Sequence, residues 1–128
     1  MTILPVYASL LAFLFVYLSI RAIRVRHRLG IGLGHAENPV MLRAIRVHAN
    51  FAEYVPLALL LIFLVESSHA APLLVHALGS ALLVARLSHA LGVSRDPENF
   101  RFRIFGMALT FTVLLICATY LLVGAVAG

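Results

Sequence analysis

Charged side chains are scarce in this sequence of 128 residues: they make up 12% of it, whereas hydrophobic residues make up 62%. A water-soluble domain has no need of so much apolar surface, and long uncharged apolar runs are typical of transmembrane segments. Four such runs are present, and the last of them, Ile104–Gly128, carries no charge at all. The composition therefore excludes an ordinary soluble enzyme and predicts an integral membrane protein.

The sequence also lacks the residues that a disulfide or a metal site would need. Its single cysteine, Cys117, excludes an internal disulfide, and its place in the fourth apolar run predicts a buried apolar side chain. The six histidines include no pair four residues apart and have no cysteine beside them. Because a zinc site needs several such ligands at suitable spacing, we expect no metal cofactor.

The apolar runs predict an all-α fold, a four-helix bundle that crosses the membrane four times. We expect one domain over residues 1–128, with helices of about 20 residues or more at roughly 3–26, 39–65, 70–91 and 97–127. The first run has no basic region before it and an arginine-rich segment after it, so we interpret it as a retained span and not a signal peptide. Asn38-Pro39 and Asp96-Pro97 predict the starts of the second and fourth helices.

Positive charge is absent from both terminal segments and from the second connection, residues 66–69. The arginines flank the first and third connections: Arg21, Arg24, Arg26, Arg28, Arg43, Arg46, Arg86, Arg95, Arg101 and Arg103. Since short cytoplasmic loops carry the excess of positive charge, both connections are expected in the cytosol and both termini outside. Snorkelling and anionic lipid explain the net charge of +5, so the expected partner is the bilayer and not a nucleic acid.

The polar residues of the second helix share one side of it. At roughly 100° per residue, they fall within an arc of about 100°: Arg43, Arg46, Asn50, Glu53 and Tyr54. Ionisable groups at this depth are costly and usually face a cavity or a partner helix. One interpretation is that Glu53 pairs with Arg46 or Arg43 only to neutralise itself; the other is a ligand site.

Arginines at helix starts favour the ligand site. The helix dipole disfavours cations there by a few tenths of a kcal/mol, yet four of them lie near the starts of the second and fourth helices: Arg43, Arg46, Arg101 and Arg103. This placement predicts an anion-binding basin, and Glu53 at its floor would suit an ammonium group. We therefore expect a small ligand with several carboxylates and one amine.

Two features of the second helix predict an oligomer. His48 points about 140° away from Arg43, so it is expected to serve the site of a neighbouring subunit. A polar stripe this wide cannot easily be covered by three other helices from so short a chain.

The second helix resembles the signature of the MAPEG family, the membrane-associated proteins of eicosanoid and glutathione metabolism. The matching stretch is Arg46-x-x-x-Asn50-x-x-Glu53-Tyr54-Val55-Pro56, and the four-span layout extends the resemblance over the whole chain. The chain is similar in plan to microsomal glutathione transferases of the small bacterial branch. The resemblance implies a homotrimer in a bacterial inner membrane, with glutathione bound as co-substrate between adjacent subunits at the cytosolic side.

The resemblance also implies roles for individual residues. Those expected to bind glutathione are Arg46, Asn50, Glu53 and Tyr54 with Arg43 beside them, His48 and either Arg24 or Arg26 from the neighbour, and His89. His89 and Val93 stand where the family has tyrosines, a departure that bears on affinity and substrate range. The catalytic arginine is expected at Arg103, in the context Arg103-x-x-Gly106, with Arg101 as the alternative.

The chemistry implied is activation of the glutathione thiol for attack on a lipophilic electrophile or a hydroperoxide. Only the thiolate is a competent nucleophile, and a guanidinium beside the sulfur, for which Arg103 is the candidate, favours the charged form. Lowering the thiol pKa by about two units requires roughly 2.7 kcal/mol.

Two other functions remain open. A non-catalytic membrane scaffold that presents lipids would keep the fold without activating a thiol. A small four-helix drug/proton antiporter would place its acid in the first helix, which has none here. The arginines around Glu53 would also repel a cationic drug.

Overall fold

The computed structural model describes residues 2–128, which form four α-helices joined by short connections. The helices are α1 (Leu4–Leu29), α2 (Pro39–Ser67), α3 (Pro72–Ser94) and α4 (Phe100–Ala127). Each of them is long and apolar enough to cross a membrane. The all-helical, four-span architecture expected from the apolar runs is confirmed.

The helices alternate in direction, so the bundle has two distinct ends. At one end, which we call the basic end, α1 and α3 finish while α2 and α4 begin, and this end carries most of the arginines. Contacts join the elements there: Arg21 of α1 donates to Ser94 of α3 over 2.8 Å, and Arg43 of α2 contacts Asp96 after α3. The opposite end is almost free of charge and is called the apolar end.

Asparagine side chains begin the two helices that start at the basic end. The Asn38 carboxamide accepts hydrogen bonds from the backbone N–H groups of Val40 and Met41, which confirms the predicted start of α2. For α4, the cap is Asn99, which accepts from the N–H of Phe102. The helix therefore begins at Phe100, beyond the Asp96-Pro97 pair expected to start it, because Asn99 and not Asp96 is the side chain that accepts from the free N–H groups.

The start of α1 is capped by another helix. Its N-terminal turn has no side-chain cap of its own, and the Glu66 carboxylate at the end of α2 accepts hydrogen bonds from the N–H groups of Thr2, Ile3 and Leu4, at 2.8–3.0 Å. A carboxylate in this position satisfies donors that the helix cannot pair and complements the helix dipole. Glu66 thus ties α1 to α2 at the apolar end.

Glycines set the distance between α3 and α4. A Cβ added to Gly106 would lie 2.6 Å from the carbonyl oxygen of Ala85, and one added to Gly92 would lie 2.5 Å from the backbone nitrogen of Arg103. Small residues allow helix backbones to touch in this way. Ala85 is buried in this contact.

Candidate functional site

The polar side of α2 contacts α3, α4 and the connection between them. Arg43 Nη2 lies 3.4 Å from Asp96 Oδ1 in that connection, and Asn50 accepts a hydrogen bond from a side chain of α3. One turn further along, the Tyr54 ring packs edge-on against Phe111 of α4, with 5.5 Å between the ring centroids. Arg43, Asn50 and Tyr54 therefore face the second half of the chain.

Arg46 and Glu53 pair with each other along α2. Arg46 Nη1 lies 3.5 Å from Glu53 Oε1, and the two side chains are 52% and 49% exposed. This is the pairing that the neutralisation interpretation predicts, yet neither side chain is enclosed. An exposed ion pair contributes only about 0–1 kcal/mol, so a ligand with its own charges can replace it at small cost.

A buried arginine, Arg86, lies behind this pair, and the sequence pattern predicted no functional role for it. Arg86 lies on α3 and is 1% exposed. Its Nη2 donates to Asn50 Oδ1 over 2.5 Å, its Nη1 donates to Thr110 Oγ1 over 3.4 Å, and its guanidinium lies 5.8 Å from the centroid of the Phe51 ring. Within residues 2–128, no carboxylate lies within ion-pair distance of it.

A sequence signal for Arg86 was present. It lies inside the third apolar run, two helical turns before α3 ends at Ser94, whereas a snorkelling arginine stands at the boundary of its helix. An ionisable group inside a span is a functional-site hypothesis by default. Its spacing could not reveal its partner, because Asn50 lies on another helix.

His89 lies one turn after Arg86 on α3 and is also buried, at 3% exposure. Its backbone touches α4, since a Cβ added to Gly106 would lie 2.7 Å from the His89 nitrogen. Its Nδ1 is buried and has no hydrogen-bond partner in the part of the chain that the structure describes. His89 therefore belongs to the α3–α4 contact and does not reach the surface on which Glu53 lies.

The two candidate catalytic arginines at the start of α4 differ in their contacts. Arg103 is half exposed, and its Nη1 donates to Glu98 Oε1 in the preceding connection over 2.6 Å. Arg101 is exposed, and among residues 2–128 it has no ion pair or hydrogen bond from its side chain. Gly106 and Thr110, which continue the face of Arg103, are buried.

The remaining predicted residues lie against α1 or in it. His48 stacks on Phe15 of α1, with ring centroids 4.9 Å apart, so within one protomer the structure does not join it to the Arg46–Glu53 pair. Arg26 Nη1 donates to the carbonyl oxygens of Ile31 and Gly34, and thereby holds the α1–α2 connection. Arg24 is exposed and unpaired within the described chain, so of the two candidates in α1 it is the one free to bind a ligand.

The residues that could coordinate a metal are dispersed. Among residues 2–128, no group of three or more histidine, cysteine, aspartate or glutamate side chains could hold one. Cys117 is fully buried among apolar side chains, as its position in the fourth run predicts.

Comparison with known proteins gives one family and two similar relatives. The sequence model of the MAPEG family matches residues 4–123. Inner membrane protein YecN of Escherichia coli strain K12 is 34% identical over 110 residues, which cover 86% of this chain and 82% of that protein. YecN of the O6:H1 strain of E. coli matches equally well. No solved structure matches the chain.

Proposed function

This chain belongs to the MAPEG family, and on that premise we propose that it is a membrane-bound glutathione transferase or peroxidase. It would activate the glutathione thiolate for attack on lipophilic electrophiles or hydroperoxides. The observation that carries the proposal is the half-exposed Arg46–Glu53 pair beside Asn50. These side chains offer a cation, an anion and an amide within two turns of one helix.

The charges of glutathione complement this group of side chains. The peptide has two carboxylates and one ammonium group, and each needs a partner of opposite charge when it leaves water. Arg46 can bind a carboxylate and Glu53 the ammonium, through charge-assisted hydrogen bonds that are about twice as strong as neutral ones. Because the two side chains already lie 3.5 Å apart, a zwitterionic ligand can bind both without a large rearrangement.

Arg103 is the proposed activator of the thiol. It lies at the start of α4, where the helix dipole adds positive potential. A nearby positive charge favours the thiolate over the thiol. Glu98 takes one of the five N–H donors of the guanidinium, and the others are available to an anion.

An apolar groove between α1 and α2 suits the lipophilic substrate. It has a volume of about 340 Å³ and is lined by apolar side chains that include Ala12, Phe51 and Pro56. Its Phe51 ring also packs on the Arg86 guanidinium, so the groove begins beside the polar residues. A molecule dissolved in the bilayer can enter it from the side.

The proposal includes an assembly and an orientation. The protein would form homotrimers in which His48 and Arg24 complete the neighbour's glutathione site. The arginines at the basic end support a cytosolic site, and the similarity to a protein named inner membrane protein YecN supports location in a bacterial inner membrane.

A second candidate function is a lipid-binding scaffold without catalysis. The observation that favours it is the pairing of arginines with acids at or near the basic end: Arg43 with Asp96, Arg46 with Glu53, and Arg103 with Glu98. In a scaffold these pairs would serve only to neutralise charge, and the fold would be retained.

A conjugation assay separates the two functions. Protein purified in detergent is mixed with glutathione and a general aryl halide electrophile, and thioether formation is compared with the uncatalysed rate. The transferase should accelerate the reaction in proportion to protein concentration. A rate equal to that of buffer, and an equally uncatalysed rate with an organic hydroperoxide, would refute the enzyme and leave the scaffold.

A further inference from the structure

Arg86 determines which end of the Asn50 side chain can meet a ligand. A guanidinium carries only donors, so the atom of Asn50 that faces Arg86 must be the carbonyl oxygen, whichever way the amide is assigned. The amide nitrogen is then on the other side of the planar group. It has no hydrogen-bond partner in the described chain. The buried side-chain nitrogen and oxygen atoms that lack a partner there are Arg86 Nε and His89 Nδ1. Because the Asn50 nitrogen is not one of them, it reaches the surface of the protomer.

Arg86 is itself held by a chain of hydrogen bonds across three helices. The Thr110 hydroxyl donates to the carbonyl oxygen of Gly106 over 2.7 Å and accepts from Arg86. Its hydrogen is thereby directed away from Arg86, and the guanidinium bridges α4 to Asn50 on α2. Hydrogen bonds in such chains strengthen one another at low dielectric. The orientation of Asn50 is therefore fixed before any ligand arrives.

Hydrogen bonds that link α3 to α2 and α4 do not by themselves require a charged side chain at position 86. Burying a cation without a carboxylate partner is costly, and a neutral donor could hold Asn50 and Thr110 equally well. The positive charge of Arg86 would stabilise an anion that approaches Asn50 from the surface, because the guanidinium adds positive potential behind the amide.

We propose that Arg86 is a positioning residue for the ligand: it turns Asn50 so that the amide N–H groups donate to a carboxylate or carbonyl oxygen of the peptide thiol. This inference rests on the proposed function and adds a rule of specificity to it. The amide N–H groups of Asn50 can donate to an oxygen atom of the ligand but cannot bond to its ammonium group, which is also a donor. Glu53 is then left as the partner of the ammonium group.

A double-mutant cycle on glutathione affinity tests the proposal. The dissociation constant is measured by calorimetry for wild type, Arg86→Met, Asn50→Ala and the double variant, after the melting temperature of each has been recorded without ligand. Without Arg86, Asn50 is no longer held with its amide N–H groups toward the ligand. Arg86→Met should therefore weaken binding by about tenfold, the value of one hydrogen bond. In the Asn50→Ala background the same substitution should have almost no further effect, since Arg86 acts through Asn50.

Two further variants keep the test decisive. Arg28→Met removes an exposed arginine of α1 and should leave affinity unchanged. Arg86→Lys retains a charged donor and should recover part of the affinity. Affinity equal to wild type in Arg86→Met, an equal loss with and without Asn50, or failure of both Arg86 variants to fold would overturn the positioning role. Absence of glutathione binding by the wild-type protein would instead refute the proposed function.

Discussion

Arg103 donates a hydrogen bond to Glu98, a residue of the connection before α4, over a distance of 2.6 Å. The Arg103 side chain is 48% exposed and that of Glu98 is 17% exposed. Arg103, the candidate catalytic cation, therefore lies at the protomer surface and is already paired with the Glu98 carboxylate. A carboxylate this close reduces the positive potential that Arg103 offers to a second anion, so Glu98 competes with a bound thiolate.

Replacing Glu98 by glutamine should relieve this competition. We expect kcat/KM for glutathione in the conjugation assay to rise by up to about fivefold, the equivalent of a partly exposed ion pair of about 1 kcal/mol. The measurement is kcat/KM for glutathione at neutral pH. Glu37→Gln, which removes an exposed acid from the α1–α2 connection, is the matched control. A fall in turnover for Glu98→Gln would show that Glu98 is needed to hold Arg103 in place.

Removing the guanidinium itself should separate chemistry from binding. Arg103→Ala should lower kcat by about a hundredfold, the typical effect of losing one group that stabilises developing charge, while the dissociation constant for glutathione changes little. Single-turnover kinetics and calorimetry give the two quantities separately. Arg28→Ala, at an exposed arginine of α1 with no assigned role, serves as the control, and Arg101→Ala tests the alternative catalytic arginine. Equal losses of kcat and affinity in Arg103→Ala would reassign this residue to binding.

Glu53 is expected to recognise the ammonium group of the ligand. Glu53→Gln should weaken glutathione binding by about ten- to a hundredfold, because a hydrogen bond to a charged group is worth roughly 1.5–3 kcal/mol. The same substitution should hardly affect a glutathione analogue that lacks the amino group, and calorimetry with the two peptides measures the difference. Unchanged affinity for glutathione itself would remove Glu53 from the site.

The α3–α4 contact offers a test that does not depend on function. Gly106→Ala should destabilise the protein by about 1–3 kcal/mol through overpacking, because the added methyl group would meet the Ala85 carbonyl oxygen at 2.6 Å. Gly124→Ala is the control on the same helix, since a Cβ there has nothing within 4 Å. Thermal unfolding in detergent compares the two. Equal melting temperatures would show that the backbones of α3 and α4 do not touch at Gly106.

Much of the fold could be predicted because each span follows local rules. A chain in lipid must satisfy its own backbone hydrogen bonds, so apolar runs of sufficient length become helices wherever they occur. The Asn38 cap was predictable for the same reason, since it bonds only to Val40 and Met41, its own neighbours. The start of α4 was less predictable, because Asp96 and Asn99 are both suitable caps and only one of them is used.

The sequence by itself determined the four membrane helices, the concentration of arginine at one end of the bundle, and the alignment of Arg46 and Glu53 on one side of α2. These properties depend on composition and on the pitch of a single helix. Only the tertiary structure decided that Asn50 is held by Arg86, 36 residues further along the chain, and that Arg43 lies beside Asp96. Such pairs depend on how each helix is rotated and how closely its neighbours approach, and that distance is set where Gly92 and Gly106 let α3 and α4 touch.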